Sequence, residues 1–361
     1  MAMAIALAER GLGNVWPNPA VGCVLVQDGR VVGRGWTQPG GRPHAESEAI
    51  VRAGEAARGS TAYVTLEPCA HHGQTPPCVD VMLAAGVARC VIGIQDPDPR
   101  VDGLGIARLR AAGMEVVVGC LAEEAMRQND GFFRRIHAGR PAVSLKLAAS
   151  TDGRIATASG DSQWITSAPA RAEGHRLRLR HDAILVGSGT ALADDPLLTC
   201  RLPGLERRSP VRVVIDRRLR LSPRSRLARS AGEAPVWLFS EQAAAPAAVD
   251  LAEVGISVLP LVSGDAADGG ARAVLATLAA RGITRVLVEG GTAVATAFLR
   301  ASLVDRIYWF AAPLLLGGDG APAIASLGIR RLAEAPRWRV VEERALGPDR
   351  LAVLEPAEPA S

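Results

Sequence analysis

The residues of this chain with the clearest chemical character are one histidine and two cysteines. His44 stands in the string PHAES, and Cys69 and Cys78 lie in the proline-rich loop EPCAHHGQTPPC. Zinc in an enzyme usually takes three protein ligands and keeps a fourth position for water, so one imidazole and two thiolates would complete such a site. Glu46 follows the histidine by two residues, where its carboxylate can take a proton from the water and pass it to a leaving amine. The pattern predicts a zinc-dependent deaminase in which Glu46 is catalytic and the other three residues are metal ligands.

Two other interpretations of the same residues remain open. The site could be a closed structural zinc with His71 or His72 as the fourth ligand. Alternatively, the cysteines could be buried thiols and the histidines unrelated surface residues. Glu46 favours catalysis over both, because neither alternative needs a carboxylate two residues after His44.

A single lysine is a second feature of chemical interest. The chain has 41 Lys plus Arg residues, and only Lys146 is a lysine. An ammonium group has an adjustable pKa, which a guanidinium lacks, so a lysine kept in an arginine-rich chain invites a specific role. Chance retention explains it equally well until its surroundings are considered.

The elements that must position these residues form two groups. Strands alternate with helices on either side of a break at Gly139-Arg140-Pro141, which predicts two layered α/β domains at 1–139 and 140–357. In the first we expect strands at 20–26, 30–35, 62–65, 89–94 and 115–118, and helices at 45–54, 78–85, 107–112 and 121–133. In the second we expect strands at 142–147, 183–186, 211–215, 236–239, 285–288 and 307–311, helices at 168–180 and 291–300, and surface connections at 241–250 and 263–270.

Composition limits the partners and the location. Hydrophobic residues make up 48% of the chain, but charged residues, Gly or Pro interrupt every apolar run, so no membrane span is expected. A net charge of +4 and an aromatic content of 4% do not indicate nucleic-acid binding. The amino-terminal stretch is too short and too acidic for a secretory signal, so we expect a cytoplasmic protein whose six cysteines stay reduced.

The string VEGGTAV places a glycine pair between a strand and a helix. Backbone N–H groups at a helix N-terminus suit a pyrophosphate, although tight strand–helix packing explains Gly290 and Gly291 equally well. The string is not the G-x-G-x-x-G fingerprint, which argues against a Rossmann domain. Arg217 and Arg218 follow the strand VVID, where the 2′-phosphate of a dinucleotide could bind.

Strings along nearly the whole chain resemble the bifunctional riboflavin-biosynthesis family RibD. PNPAVGCVLV, HAESEA, EPCAHHGQTPPC and QDPDPRVDGLG resemble its deaminase half, and KLAASTDGRIA, SGDSQWIT, DAILVGSGTALADDPLLTCR and VEGGTAVATAFL resemble its reductase half. The resemblance implies an α/β fold with a cytidine-deaminase-like three-layer domain followed by a dihydrofolate-reductase-like domain. It also implies two steps, a zinc-dependent hydrolytic deamination of 2,5-diamino-6-ribosylamino-4(3H)-pyrimidinone 5′-phosphate and an NADPH-dependent reduction of the ribosyl group to ribityl.

The resemblance further implies a set of binding residues. Asn18 is expected to hydrogen-bond the pyrimidine. The implied NADP contacts are Ala148, Trp164, Thr190, Asp194 and the Gly291–Ala297 turn, which begins with Gly291, Thr292 and Ala293. The implied ribose-phosphate site consists of Ser162, Arg178, Leu198, Arg201 and Glu289. Because Lys146 precedes the string AAS, which resembles a cofactor-contacting stretch, we expect it to point into the reductase cleft as a catalytic residue; Glu289 and Asp194 are the other candidate proton donors.

The chain departs from the family pattern at two positions. Gln74 stands where the family usually has Lys or Arg, and Asp98 stands where it usually has Asn. Both changes make the surroundings of a phosphate-bearing substrate less positive, so they bear on phosphate affinity and leave the metal chemistry unaffected. His71, Asp96 and Arg100 are candidates to compensate.

Two further hypotheses and one assembly follow from the sequence. A nucleoside or nucleic-acid deaminase with a regulatory second domain would need basic and aromatic residues around the first site, and few aromatics lie near residues 40–80. A zinc-stabilised binding module would make Glu46 expendable. Hydrophobic edge strands in the second half suggest a homodimer through the reductase domain.

Overall fold

The computed structural model describes residues 1–73, 75–262, 268 and 270–357. Gln74 and most of the expected connection 263–270 therefore lie outside the described residues. Within these ranges, no helix has both the length and the apolar character needed to cross a membrane.

The chain separates into two compact units. The first comprises Met1–Arg140 together with Arg281–Thr284, and the second comprises Pro141–Ala280 together with the chain from Arg285 onward.

The first unit contains a five-stranded mixed sheet. Its strands are β1 (Gly22–Gln27), β2 (Arg30–Trp36), β3 (Thr61–Leu66), β4 (Arg89–Ile94) and β5 (Glu115–Val118). Its helices are α1 (Ala2–Ala8), α2 (Ala45–Ala53), α3 (Cys78–Ala84), α4 (Leu104–Ala111), α5 (Ala122–Gln128) and α6 (Asp130–Ala138). The strand order is β2-β1-β3-β4-β5, with β1 antiparallel to both of its neighbours and the other pairs parallel. The first two strands form a hairpin, in which Asp28 and Gly29 both have positive φ (50° and 75°), as a type I′ turn requires.

Helices cover both faces of this sheet. Leu25 of β1 packs in a core cluster with Ala49 of α2 and Met82 of α3. Its neighbour Val24 packs with Leu7 of α1 instead. Because successive strand residues point to opposite faces, the two clusters lie on opposite sides of the sheet. The three-layer arrangement expected for this unit is confirmed.

Two glycines in β2 allow α2 to approach the sheet closely. A Cβ added to Gly35 would lie 2.1 Å from the carbonyl oxygen of Ala45, and one added to Gly33 would lie 2.3 Å from that of Ala49. Both separations are too short for any side chain, so glycine is required at both positions. This contact fixes the first turn of α2, the turn that follows His44.

The expected single helix at 121–133 is wrong, because the chain forms α5 and α6 with a break at Asn129. The side chain of Asn129 accepts a hydrogen bond from the Ala20 N–H at 3.0 Å and donates one to the Ala20 carbonyl at 2.9 Å. The residue is only 3% exposed and leaves the helical region, with φ −107° and ψ 18°. A tertiary contact thus overrides the local helical pattern.

The second unit contains a nine-stranded sheet and a two-stranded ribbon. Its strands are β6 (Ala142–Ser150), β7 (Arg154–Ala156), β8 (Ala183–Gly187), β9 (Val211–Ile215), β10 (Val236–Ser240), β11 (Ile256–Pro260), β12 (Arg285–Val288), β13 (Arg306–Ala312), β14 (Ala321–Pro322), β15 (Trp338–Leu346) and β16 (Asp349–Pro356). Its helices are α7 (Ala168–Leu179), α8 (Ser188–Asp194), α9 (Arg226–Arg229), α10 (Pro246–Glu253), α11 (Ala271–Ala280) and α12 (Thr292–Arg300). The large sheet has the order β11-β10-β9-β8-β12-β6-β13-β16-β15, and β7 pairs with β14. Pairs from β11 to β13 are parallel, and β16 is antiparallel to both β13 and β15.

This unit differs from the sequence-based expectation in one connection and in several elements that were not expected, namely β7, β11, β14, β15, β16, α8, α9 and α11. The surface connection expected at 241–250 is wrong in its second half, where α10 begins at Pro246 and buries Ala248 and Leu251. Proline at the start of a helix costs no hydrogen bond, so its presence does not exclude a helix here. Strand β15 in particular could not be expected from the sequence, because it is exposed along most of its length and carries almost no period-2 pattern.

Candidate active sites

Three side chains of the first unit converge at one point. The ligand atoms of His44, Cys69 and Cys78 all lie within 4.8 Å of one another. His44 Nδ1 is 3.3 Å from Cys78 Sγ and 3.6 Å from Cys69 Sγ. In a tetrahedral zinc site, bonds of about 2.1 Å to nitrogen and about 2.3 Å to sulfur place these two atoms about 3.6 Å apart. The donor set and its spacing fit zinc.

The starts of two helices position these donors. His44 is the N-cap residue of α2, and Cys78 is the first residue of α3. The backbone N–H of Cys78 donates to Cys69 Sγ at 3.3 Å. Because a helix N-terminus stabilises negative charge, the Cys69 sulfur, which accepts this hydrogen bond, lies where a thiolate is favoured.

The two sulfurs differ in acidity. Hydrogen bonding from Cys78 lowers the pKa of Cys69 to about 4. The same hydrogen bond, together with burial, raises the pKa of Cys78 well above its usual value. Of the two sulfurs, Cys69 is thus the one at which the hydrogen bonds favour the thiolate, which is the form that binds a metal.

Glu46 lies beside the three donors in a small cavity. The cavity has a volume of about 130 Å³, and Glu46, His44 and Cys69 all contribute to its wall. Glu46 belongs to the first turn of α2 and is only 3% exposed. Burial disfavours its charged form and raises its pKa to about 7. A carboxyl group with a pKa near neutrality is suited to accept and return a proton.

His71 and His72 do not complete a four-ligand metal site. Among the described residues, the cluster of possible metal ligands at this point contains three side chains, and neither of these histidines is one of them. The His72 side chain is 79% exposed and its Nε2 lies 3.9 Å from a carboxylate oxygen of Asp80. The arrangement therefore resembles a catalytic zinc site with an open position more than a closed structural site.

Asn18 also lines this cavity, as expected. Its Nδ2 donates to the Gly41 carbonyl at 3.1 Å, which leaves the side-chain oxygen as an acceptor for a ligand. Gly41 has φ +86°, and a Cβ there would lie 1.8 Å from Asn18 Nδ2. Glycine at 41 is thus required for the asparagine to hold this position.

A second, larger cavity of about 600 Å³ lies in the second unit. It brings together most of the residues expected at the reductase site. Those in its wall are Lys146, Ala148, Ser162, Thr190, Asp194, Glu289, Gly291, Thr292 and Ala293.

One wall of this second cavity is the start of α12. Its N-cap residue is Gly291, which offers no side-chain acceptor to the amides of the first turn. The Gly291 N–H donates to the Thr190 hydroxyl at 3.1 Å, which ties this turn to α8. A Cβ on Gly290 would lie 2.7 Å from Cβ of Val294, so close packing also requires that glycine. Both sequence-based explanations of the glycine pair, packing and phosphate binding, are compatible with this geometry.

Lys146 and Glu289 meet in the same cavity. Lys146 Nζ lies 3.8 Å from Glu289 Oε2, and Arg178 binds the same carboxylate through Nε at 2.8 Å and Nη2 at 3.0 Å. Burial alone would raise the pKa of Glu289, but the charges of Arg178 and Lys146 lower it to about 2. Burial lowers the pKa of Lys146, and Arg178 acts in the same direction, while Glu289 opposes both. The structure thus supplies the context that the sequence lacked for the single lysine.

Four residues expected at the reductase site lie outside the wall of this cavity. They are Trp164, Arg178, Leu198 and Arg201. Trp164 is 65% exposed and packs against the Arg171 guanidinium, which lies 4.7 Å from its ring centre. Leu198 is buried in the hydrophobic core. Arg178 donates to the carboxylate of Glu289, which itself lines the cavity, and Arg201 is exposed.

Three arginines on the loop after β9 contribute positive charge to the second cavity. The sequence singles out Arg217 and Arg218 but not Arg220, which also lies in the cavity wall. Arg217 pairs with Glu241 at 3.1 Å, and Arg220 donates to the Ser188 hydroxyl at 2.5 Å. The basic run RRLR directly after a buried strand is the signal that identifies this group.

Comparisons with known proteins match both units. Residues 141–352 match the model for the RibD C-terminal domain, and residues 1–94 match the model for the cytidine and deoxycytidylate deaminase zinc-binding region. The riboflavin biosynthesis protein RibD of Escherichia coli (strain K12) is 44% identical, with 97% of this chain and 96% of the relative covered. That of Bacillus amyloliquefaciens is 41% identical, with 97% and 93% covered.

The chain belongs to the RibD family.

Solved RibD structures share the architecture over the whole chain. Acinetobacter baumannii RibD superposes with a TM-score of 0.89 at 36% identity, covering 99% of this chain and 98% of that one. A Thermotoga maritima structure, described as a diaminohydroxyphosphoribosylaminopyrimidine deaminase/5-amino-6-(5-phosphoribosylamino)uracil reductase, gives a TM-score of 0.86 at 37% identity, covering 99% and 97%.

RibD membership defines the general activity. The chain is a bifunctional enzyme of riboflavin biosynthesis, with a zinc-dependent deaminase half and an NADPH-dependent reductase half. The alternative of a nucleoside or nucleic-acid deaminase with a regulatory domain is not favoured, because the second half matches a RibD reductase domain. Its substrate is a small molecule.

Proposed function

We propose that the first cavity converts 2,5-diamino-6-ribosylamino-4(3H)-pyrimidinone 5′-phosphate into 5-amino-6-(5-phosphoribosylamino)uracil, and that the second cavity reduces the ribosyl group of this product to ribityl. The observation that carries the proposal is the convergence of His44, Cys69 and Cys78 beside the buried carboxyl group of Glu46. The description of the Thermotoga maritima structure as a diaminohydroxyphosphoribosylaminopyrimidine deaminase/5-amino-6-(5-phosphoribosylamino)uracil reductase supports the same substrates. The six cysteines are free thiols in the structure, in keeping with a proposed cytoplasmic location.

In the deaminase cavity, three residues hold the metal and a fourth moves protons. His44, Cys69 and Cys78 would bind zinc, which when bound lowers the pKa of a coordinated water to about 7. Glu46 takes a proton from the attacking water and delivers it to the amino group that leaves as ammonia, so that the C2–N bond breaks while a C2–O bond forms. Asn18 orients the pyrimidine through its free side-chain oxygen.

In the reductase cavity, the residues orient two ligands and supply a proton. NADPH, when bound, would supply a hydride for C1′ of the ribosyl group, and the protein would supply the proton for the ring oxygen that is released as the sugar opens. We propose that Thr190, Asp194 and the first turn of α12 bind the cofactor, with Ala148 and Trp164 as further contacts. The proposed ribose-phosphate contacts are Ser162, Arg178, Leu198, Arg201 and Glu289. Lys146, held 3.8 Å from the Glu289 carboxylate, is the proposed catalytic residue.

The direct test separates the two steps on the purified protein. The diaminopyrimidine phosphate is incubated with and without NADPH, and ammonia, NADPH oxidation and bound zinc are measured. The proposal expects one ammonia per substrate in both conditions and NADPH oxidation only after deamination. Failure of zinc-loaded protein to release ammonia from this substrate would refute it.

A charge-removing change at Arg218 is expected to weaken NADPH binding selectively. Arg218 is exposed at the cavity wall and forms no ion pair with the described residues, so it is the arginine of this loop most available to a 2′-phosphate. Arg218→Ala should raise the KM for NADPH about tenfold, the effect of one charge-assisted hydrogen bond, and leave the KM for NADH unchanged. Arg217→Ala is the matched control, since Arg217 already pairs with Glu241. Equal effects on NADH and NADPH would contradict a 2′-phosphate contact.

We also propose that the protein is a homodimer through its reductase unit. Strand β15 forms one edge of the nine-stranded sheet, and Val340 and Val341 on it are 59% and 42% exposed. An edge strand with exposed valines is a template for pairing with another chain. Light scattering should give twice the mass of one chain, and Val340→Glu should lower it towards one. A monomer at all accessible concentrations would exclude this assembly.

A further inference from the structure

Arg42, one of the arginines that line the deaminase cavity, has no carboxylate partner among the described residues. Three arginines line the cavity, Arg42, Arg100 and Arg135. Arg100 is paired with Asp98 through Nε at 2.9 Å and Nη2 at 2.5 Å. Arg135 also has an interaction of its own within the chain. Arg42 makes no ion pair with any carboxylate in the described ranges, and its partner there is a neutral hydroxyl.

The acidic residues of the cavity have fixed positions of their own. Both carboxylate oxygens of Glu67 accept backbone N–H groups, those of Gly103 and Ile106 among them. Asp98 is neutralised by Arg100, whose hydrogen bonds also lower the pKa of that carboxyl group. Among the described residues, no ion pair joins Arg42 to either of these carboxylates, or to Glu46 and Asp96, the other acidic residues of the cavity wall. The Arg42 charge is therefore available to an anion that enters the cavity.

Arg42 lies where the wall of the cavity meets the cysteine loop. It precedes the proposed metal ligand His44 by two residues, and its Nη1 donates to the hydroxyl of Thr75 at 2.5 Å. A Cβ on Gly73 would lie 2.9 Å from Arg42 Nη2, so the guanidinium lies directly against this part of the loop. Thr75 follows Gln74, the position at which the chain carries a neutral side chain. The Arg42 guanidinium therefore contacts Thr75 and lies close to Gly73, the two described residues next to position 74 in the sequence.

We infer that Arg42 is the residue that binds the 5′-phosphate of the pyrimidine substrate in the deaminase cavity. A guanidinium matches a phosphate through two parallel N–H groups, and the bond that Arg42 makes within the described ranges is to an exchangeable hydroxyl partner. Arg100 is the less suitable cation, because an incoming phosphate would have to compete with Asp98 for it. This inference rests on the proposed function and adds the residue that distinguishes a phosphorylated from a non-phosphorylated pyrimidine.

The test compares ammonia release from the substrate and from its dephosphorylated form. For the zinc-loaded wild-type protein, the ratio of the two kcat/KM values measures discrimination for phosphate. Arg42→Met should lower this ratio about 10- to 100-fold, the loss of a charge-assisted interaction, with kcat/KM for the dephosphorylated form unchanged. Arg42→Lys should give a ratio between those of the wild-type protein and Arg42→Met, because lysine keeps the positive charge but lacks the two parallel N–H groups of arginine. Zinc content and thermal unfolding verify that each variant is folded.

Two variants make the outcome decisive. Arg52→Met removes a charge from the far end of α2, where Arg52 pairs with Glu48, and should leave the ratio unchanged. Arg100→Met tests the competing cation. A wild-type ratio in Arg42→Met, or a larger loss in Arg100→Met, would overturn the inference. Both results require wild-type protein that is active on the phosphorylated substrate, so they are distinct from failure of the proposed function, in which zinc-loaded wild-type protein releases no ammonia from that substrate.

Discussion

Glu46→Gln should reduce ammonia release by about a thousandfold or more, within the range that a positioned acid–base residue contributes. Glutamine has the same shape as glutamate but cannot accept a proton. The attacking water would then keep its proton and the amino group would have to leave without one, which raises the barrier. The carboxyl group is 3% exposed, and water has little access to replace its role. The measurement is steady-state ammonia release with zinc content determined on the same sample.

Two controls make this result specific. Glu48→Gln changes the same residue type one half-turn along α2, where the side chain pairs with Arg52 at 2.8 Å, and should leave ammonia release near the wild-type rate. The reductase step of Glu46→Gln, assayed with the deaminated substrate and NADPH, should also be unchanged. Turnover within tenfold of wild type at full zinc content would remove Glu46 from the mechanism and would favour a zinc-stabilised binding module.

The deaminase site could be predicted from the sequence because its geometry is mostly local. His44 and Glu46 belong to one helix start, and Cys69 and Cys78 bound one loop, so spacing alone constrains their relative positions. One long-range contact has to be inferred, that between the start of the helix and the cysteine loop. It follows because a catalytic zinc ion takes three protein ligands. The proposed role of Arg42 in phosphate binding could not be predicted in this way, since it depends on tertiary contacts, such as the ion pair of the neighbouring Arg100 with Asp98.

The reductase site could be predicted less completely, because its residues come from distant strands. Glu289 and Arg178 were both expected at the ribose phosphate, but the sequence does not show that they bind each other across a separation of 111 residues. The same limit explains the missed break at Asn129, whose partner Ala20 lies 109 residues away. Elements with strong local patterns, such as β4, β5, β9 and β12, were predicted to the residue.

Lys146→Arg should lower the reductase rate about a hundredfold and leave ammonia release unchanged. The substitution keeps a positive charge, but a planar guanidinium is larger, cannot give up its proton, and would face the Arg178 guanidinium across Glu289. NADPH oxidation with the deaminated substrate measures the rate, and a separate titration of NADPH binding distinguishes a chemical role from a binding role. Reductase turnover at the wild-type level in this variant would exclude a special role for the only lysine.

A double-mutant cycle with Glu289 gives the sharper form of this prediction. Lys146 and Glu289 are close enough to act as one unit, with Nζ 3.8 Å from Oε2. If the carboxylate positions the ammonium for proton delivery, Lys146→Met and Glu289→Gln should each reduce kcat, and the double variant should lose little more than the worse single variant. If instead the two residues act independently, with Glu289 only holding Arg178 in place and Lys146 only binding phosphate, the double variant should lose kcat by the product of the two single-variant factors. Both residues line the cavity, and the Lys146 ammonium lies next to the Glu289 carboxylate. We therefore expect the coupled outcome, in which the double variant loses little more than the worse single variant.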